Sequence, residues 1–134
     1  YNPTIVTDSS GTITLNSSYD TLRYTRTGRL VHISGVIIVG SVSSPVGTHV
    51  QIGLPSHLTS ANDGADISDR AGGNYVYYDN SESKHTMYPC FIDENDSYIV
   101  VHFNGVYQPA DTQIPNVNTI ASSDQFRISI TYTI

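Results

Sequence analysis

The chain has 134 residues, enough for one domain with its own core and too few for two comfortable ones. Charged residues make up only 13%, about half the usual share, and the formal net charge is −6. With one lysine, Lys84, and scattered arginines, no phosphate-neutralising surface is expected and nucleic acid is excluded as a partner.

The composition is poor in Lys, Glu, Ala and Leu and rich in Thr, Ser, Val, Ile, Tyr and Gly, a balance that favours strands and turns. No stretch shows helical periodicity, and no apolar run approaches the ~20 residues of a spanning helix, so no membrane insertion is expected. Cys90 is the only cysteine, so no intrachain disulfide forms. It reads as a small buried apolar residue in the strand Tyr88–Ile92, since the acidic run after it is a poor setting for a reactive thiolate.

In chain order, Thr4–Asp8 reads as a first strand, Asp8-Ser9-Ser10-Gly11 as a turn, and Thr12–Asn16 as a second strand. Leu22–Val39 reads as two long antiparallel strands joined at Thr27-Gly28, where Gly28 supplies the positive φ of a tight turn. In the second of these strands Val31, Ile33, Gly35, Ile37 and Val39 share one face, and Leu30, His32, Ser34, Val36 and Ile38 the other. Both faces are largely apolar after Gly35, which predicts a central strand that also touches a surface outside the domain. Gly40–Gly47, rich in Ser, Gly and Pro, is expected to be a loop. Thr48–Leu54 alternates with Val50, Ile52 and Leu54 inward, and Pro55 ends it.

Ser56–Gly64 reads as irregular and Ala65–Ala71 as a partly exposed strand. Gly72-Gly73-Asn74 is expected to turn into a short aromatic strand, Tyr75–Tyr78. Asp79–Lys84 is expected to be a polar loop, and Thr86–Ile92 a strand with Tyr88, Cys90 and Ile92 on one face. Asp93–Asp96 reads as a solvated turn rather than a calcium loop, because it lacks the alternating acidic pattern. Ser97–Asn104 reads as a strand, and Gly105–Ser123 as a long loop of the kind that carries function or packs at an interface. Gln125–Ile134 alternates most cleanly, with Phe126, Ile128, Ile130, Tyr132 and Ile134 on one face. Nine or ten short strands predict an all-β fold, an antiparallel β-sandwich of jelly-roll-like type, as one domain over residues 1–134.

The residues YTRTGRLVHISGVIIV resemble the YTRxGxLVxxSG signature of small β domains in bacteriophage tail fibres and related virion proteins. Tyr24, Thr25, Arg26, Gly28, Leu30, Val31, Ser34 and Gly35 match the hairpin. Gly53-Leu54-Pro55 matches a second element, and Ile128-Ser129-Ile130-Thr131-Tyr132 the closing strand. The resemblance implies a virion appendage, here the C-terminal head of a longer fibre protein, since the chain opens at Tyr1 rather than Met. It implies a homotrimer and contact with a host-surface receptor. In the hairpin, Tyr24, Arg26, Gly28 and Gly35 would be structural, with Arg26 bonded to a carboxylate or a backbone carbonyl.

Enzymatic constellations such as a nucleophile elbow, a phosphate loop or paired cysteines are missing, so neither an enzyme nor a cofactor is expected. The histidines at 32, 49, 57, 85 and 102 are too far apart for a local metal motif. His32 and His102 could meet on one sheet face, where hydrogen-bonded structural roles are the expectation. Tyr75, Tyr77, Tyr78 and Tyr88 fall near His85, Asn74, Asp79 and Asn80, and aromatic rings beside amides and carboxylates suit a sugar. The rival reading sends Tyr75 and Tyr77 into the core and leaves Tyr78 at the rim. Tyr107, with Gln108, is a second candidate contact.

The leading expectation is a receptor-binding virion head, its receptor a polysaccharide among other candidates. A ligand-free decoration or trimerisation module, and a carbohydrate-binding or depolymerising module, are the alternatives.

Overall fold

The structure, a computed structural model, describes residues 1–59, 71–92, 96–103 and 117–134. Among these the backbone forms nine strands and one 3-10 turn, Val117–Thr119. The strands are β1 (Ile5–Thr7), β2 (Ser10–Leu15), β3 (Arg23–Thr27), β4 (Leu30–Val46), β5 (His49–Gly53), β6 (Ala71–Asp79), β7 (Lys84–Ile92), β8 (Tyr98–His102) and β9 (Gln125–Thr133). Every strand pair is antiparallel. The fold is all-β, as the alternation predicts.

The strands follow one path, β1-β5-β8-β7-β6-β9-β4-β2, with β3 also paired to β4. The two ends of that path, β1 and β2, are consecutive in the chain, so the sheet curls until it is nearly closed, like a barrel. The expected sandwich takes this form: opposite walls of one sheet face each other across a single core.

β4 is the spine. Its first half lies between β3 and β9, in register from Leu30↔Thr133 to Ile38↔Gln125 on the β9 side. Its second half pairs with β2, from Leu15↔Val39 to Ser10↔Val46. The stretch expected to be a loop, residues 40–46, is therefore strand. Its Ser, Gly and Pro residues have weak strand preference, but β2 supplies a ladder, and two register shifts absorb the misfit.

Gly72, Gly73 and Asn74, expected to turn, instead extend β6 against Phe91, Cys90 and Pro89 of β7. Gly73 is there because β9 passes close: a Cβ would stand 2.6 Å from the Ser129 carbonyl oxygen. Residues 60–70, 93–95 and 104–116 lie outside the described residues, and with them the expected strand before Ala71, most of the acidic turn, most of the long loop, and Tyr107.

The β3–β4 hairpin has the expected chemistry. Gly28 turns the chain at φ +62°, and the Arg26 side chain donates to the Gly28 carbonyl at 2.7 Å. Gly35 has φ +149° and packs so close to Leu22 that a Cβ would lie 2.9 Å from its side chain. Tyr24 is partly exposed, its hydroxyl 3.3 Å from His57 Nε2 and its ring edge-on to Tyr1.

Alternation builds the core. Val31, Ile33, Ile37 and Val39 of β4 are buried, as are Phe126, Ile128, Ile130 and Tyr132 of β9 and Tyr88, Cys90 and Ile92 of β7. Burial pushes the Cys90 thiol up to about 12, so it stays protonated and unreactive.

Two carboxylates tie the barrel together. Asp124 is fully buried and accepts from the Tyr77 hydroxyl, from Asn80 N at 3.0 Å and from Ala121 N at 2.7 Å. Removing it would orphan three buried or partly buried donors, each worth roughly 1–3 kcal/mol. Asp124→Ala is expected to cost about 3–5 kcal/mol in urea denaturation, and Tyr77→Phe about 2 kcal/mol.

Asp8, in the β1–β2 turn, accepts from Thr48 N, Thr48 Oγ1 and His49 N at 2.9, 2.9 and 3.2 Å, and its other contact is His49 Nδ1 at 3.3 Å. It thereby pins that turn to the β4–β5 corner. Burial alone would raise its pKa, but these hydrogen bonds and His49 together hold it below the ordinary 3.8. A depressed folded pKa stabilises above the unfolded value and loses that stabilisation as pH falls through the folded one. Stability is expected to decline below about pH 4, followed by thermal melts, and Asp8→Asn should flatten part of that decline.

Candidate functional site

The tyrosine cluster divides along the strand period. Tyr75 and Tyr77 of β6 and Tyr88 of β7 point inward and are buried. With Phe103 and Phe126 they form an aromatic core: Tyr75 stacks on Tyr88 at 5.4 Å between centroids, and Tyr77 meets Phe103 edge-on at 5.3 Å. The Tyr75 hydroxyl donates to the His102 carbonyl at 2.7 Å, and the Tyr132 hydroxyl to the Leu58 carbonyl at 2.7 Å. Burial raises the pKa values of Tyr75 and Tyr77 well above the usual phenol, and the Asp124 bond adds to the effect at Tyr77. These three rings are therefore not available to a ligand. The grouping that sequence proximity suggested is corrected here, because adjacent positions on a strand face opposite ways.

Tyr78 and His85 remain outside. They are directly paired across β6 and β7, and their rings lie 4.5 Å apart at 34°. This pair begins a surface that spans the outer side of β7, β6, β9, β4 and β3. Register sets its rows. One row runs His85–Tyr78–Gln125–Ile38, and the next Met87–Val76–Arg127–Val36. Met87 is 64% exposed and Val36 40%. Arg127 reaches back along its own strand, Nη2 donating to Gln125 Oε1 at 3.2 Å. The hairpin beyond Tyr78 is held by Asp79, whose Oδ1 accepts from Ser81 N, Ser81 Oγ and Glu82 N at 2.9, 2.7 and 3.1 Å.

The other histidines have separate settings. His32 Nδ1 lies 2.9 Å from Thr131 Oγ1. His102 stacks on Phe91 at 5.2 Å and meets the tilted ring of His49 at 4.9 Å. His32 and His102 therefore have different neighbours. Among the described residues no three His, Cys, Asp or Glu side chains are grouped to hold a metal ion. The Asp8–His49 pair spends its carboxylate on the Thr48–His49 corner, a structural arrangement rather than an open acid–base pair.

The outer surface is thus the arrangement with chemistry to offer: an aromatic pair, an amide, a guanidinium and exposed apolar side chains on a rigid sheet. No family model, curated protein or solved structure matches the chain. The surface's own chemistry has to carry the functional argument.

Of the residues singled out from sequence, Tyr78 and His85 belong to this surface, Tyr75, Tyr77 and Tyr88 to the core, and Tyr107 lies outside the described residues. Gln125, Arg127, Val76 and Met87 were not anticipated. The alternation of Gln125–Ile134 does put Arg127 on an outward face, but the β6–β9 register that sets it near Tyr78 is visible only in the fold. Stability measurements separate the two kinds of tyrosine. Tyr77→Ala is expected to cost about 3–5 kcal/mol, and Tyr78→Ala less than about 1 kcal/mol.

Proposed function

We propose that this chain is a non-enzymatic attachment module of a virion appendage, of the tail-fibre kind, which binds a host-surface receptor. The observation that carries the reading is the Tyr78–His85 ring pair, Tyr78 half-buried and His85 exposed, set beside Gln125 and Arg127 on the outer face of a closely hydrogen-bonded sheet. A rigid face that displays aromatic and apolar groups to solvent suits binding. The hairpin that resembles the virion signature supports the appendage context, as does a charge-poor composition rich in Ser, Thr and Tyr.

Homotrimeric assembly belongs to the same proposal. It is supported by the hairpin's resemblance to virion fibre domains, for which symmetric closure is the common form of assembly. A ligand-free structural module is the second reading, and the exposure of Leu30, Val36 and Met87 favours it to the extent that these side chains pack on another protein.

Light scattering on the purified domain, paired with staining of candidate host cells by the labelled domain, tests both. A trimer that stains cells, with staining lost in Tyr78→Ala, is the expected result. A trimer that stains nothing supports the structural module, and a monomer overturns the trimeric assembly.

A further inference from the structure

The chain has 12 Asp and Glu residues against 6 Lys and Arg, yet the outer face of β7, β6, β9, β4 and β3 carries no carboxylate. The one acid within these five strands, Asp79, sits at the inward parity of Tyr75 and Tyr77 and is committed to the hairpin turn. The ionisable groups on the outward positions are Arg23, Arg127, His32 and His85. Among the described residues this face thus presents two arginines and no carboxylate, and the other described acids, Asp8, Asp20, Glu82, Asp96 and Asp124, lie outside these strands. Arg127 has no carboxylate partner among the described residues; Gln125 holds it from one side.

Geometry narrows the ligand. Tyr78 is in register with Gln125, and Arg127 lies two positions further along β9, so the backbones of Tyr78 and Arg127 stand about 8 Å apart. Arg23, across β4 and two residues displaced, lies about 12 Å from Arg127. A dense polyanion such as nucleic acid needs more cations than this and meets an overall charge of −6. A sparse anion built on a ring suits it better. The C–H face of a pyranose lies against aromatic rings, its hydroxyls bond amides and hydroxyls such as Gln125, Asn74 and Ser129, and a carboxylate pairs with a guanidinium.

We propose that this face binds an acidic saccharide, one sugar ring seated at Tyr78–His85 with its carboxylate held by Arg127 beside Gln125. The proposal rests on the reading of the domain as a surface-binding module and names the ligand class for that face. Arg23 would take the charge of a neighbouring sugar, so a chain with repeated acids would bind better than a single one.

The test is binding of the intact domain to an array of uronic-acid and sialic-acid oligosaccharides, each printed beside its methyl-esterified or neutral counterpart. Binding to acidic probes is expected, at least about tenfold weaker on the esterified ones and weakening as salt rises. Arg127→Gln and Tyr78→Ala should each reduce it by about tenfold or more, with melting temperature and solution mass unchanged.

Equal binding to acidic and neutral probes, binding to none, or retention in Arg127→Gln overturns the proposal. So does a change of oligomeric mass in Arg127→Gln, which would mark the face as a contact between copies of the chain. Staining of host cells that survives Arg127→Gln overturns the acidic ligand while leaving the attachment module intact. Absence of any staining, with acidic probes still bound, overturns the attachment reading and leaves the saccharide site standing.

Discussion

A carboxylate with no exposure to water holds together the segments on which this fold turns. Asp124 precedes β9 and accepts from β6 through Tyr77, from the β6–β7 hairpin through Asn80, and from its own corner through Ala121. Its carbonyl also takes the Val39 amide, and Ser123 N donates to the Val39 carbonyl, which ties the corner to the spine strand β4. A buried anion is costly unless its lone pairs are filled, so the site demands that all of these elements arrive together. Strand order is thereby coupled to the placement of one side chain. The aromatic core rests on the same contact, because the Tyr77 ring packs between Phe103 and Phe126 while its hydroxyl is held by the acid.

Closure of the sheet depends on a second, smaller device. The β1–β2 turn could hang free at the edge, since β1 and β2 pair with different strands. Asp8 joins it to the Thr48–His49 corner through backbone and hydroxyl donors. The two ends of the strand path are thus held near each other, which limits the exposed edge a nine-stranded sheet would otherwise present. A rigid, nearly closed wall is also what lets the outer face keep its rows in register. The tilted contact of Tyr78 with His85 and the seat of Arg127 beside Gln125 are products of that register, not of local sequence.

The same alternation that makes the core makes the surface. On β6 the inward tyrosines are consumed by packing, and the outward neighbour of each is left to solvent or a partner. Aromatic richness in a stretch of sequence is therefore a poor guide to a binding site until the parity of each ring is known. Here parity removed three rings from the candidate surface and kept one, and the cation that completes the arrangement came from β9, nearly fifty positions away in the chain. Charge followed parity too. Among the described residues Asp8, Asp79 and Asp124 lie in turns or at strand ends, where backbone amides satisfy them, and the outward positions of the five strands carry neutral and basic residues.

Much of the architecture was legible in the residues themselves. Period-2 alternation in Gln125–Ile134 and in Leu30–Val39 determined which side chains are buried, because a strand has only two faces. The positive φ of Gly28, the inertness of Cys90 and the backbone bond of Arg26 followed from local chemistry. Gly40–Gly47 and Gly72–Asn74 did not, since Ser- and Gly-rich segments become strands only when a neighbouring strand supplies hydrogen bonds, and that neighbour is distant in sequence. The buried role of Asp124 was equally invisible: a carboxylate reads as solvated until three separated donors converge on it. What the sequence determined by itself was the face of each residue, a local property of the backbone. What the tertiary structure alone decided was which faces meet, because strand order and register are set by contacts between segments far apart in the chain.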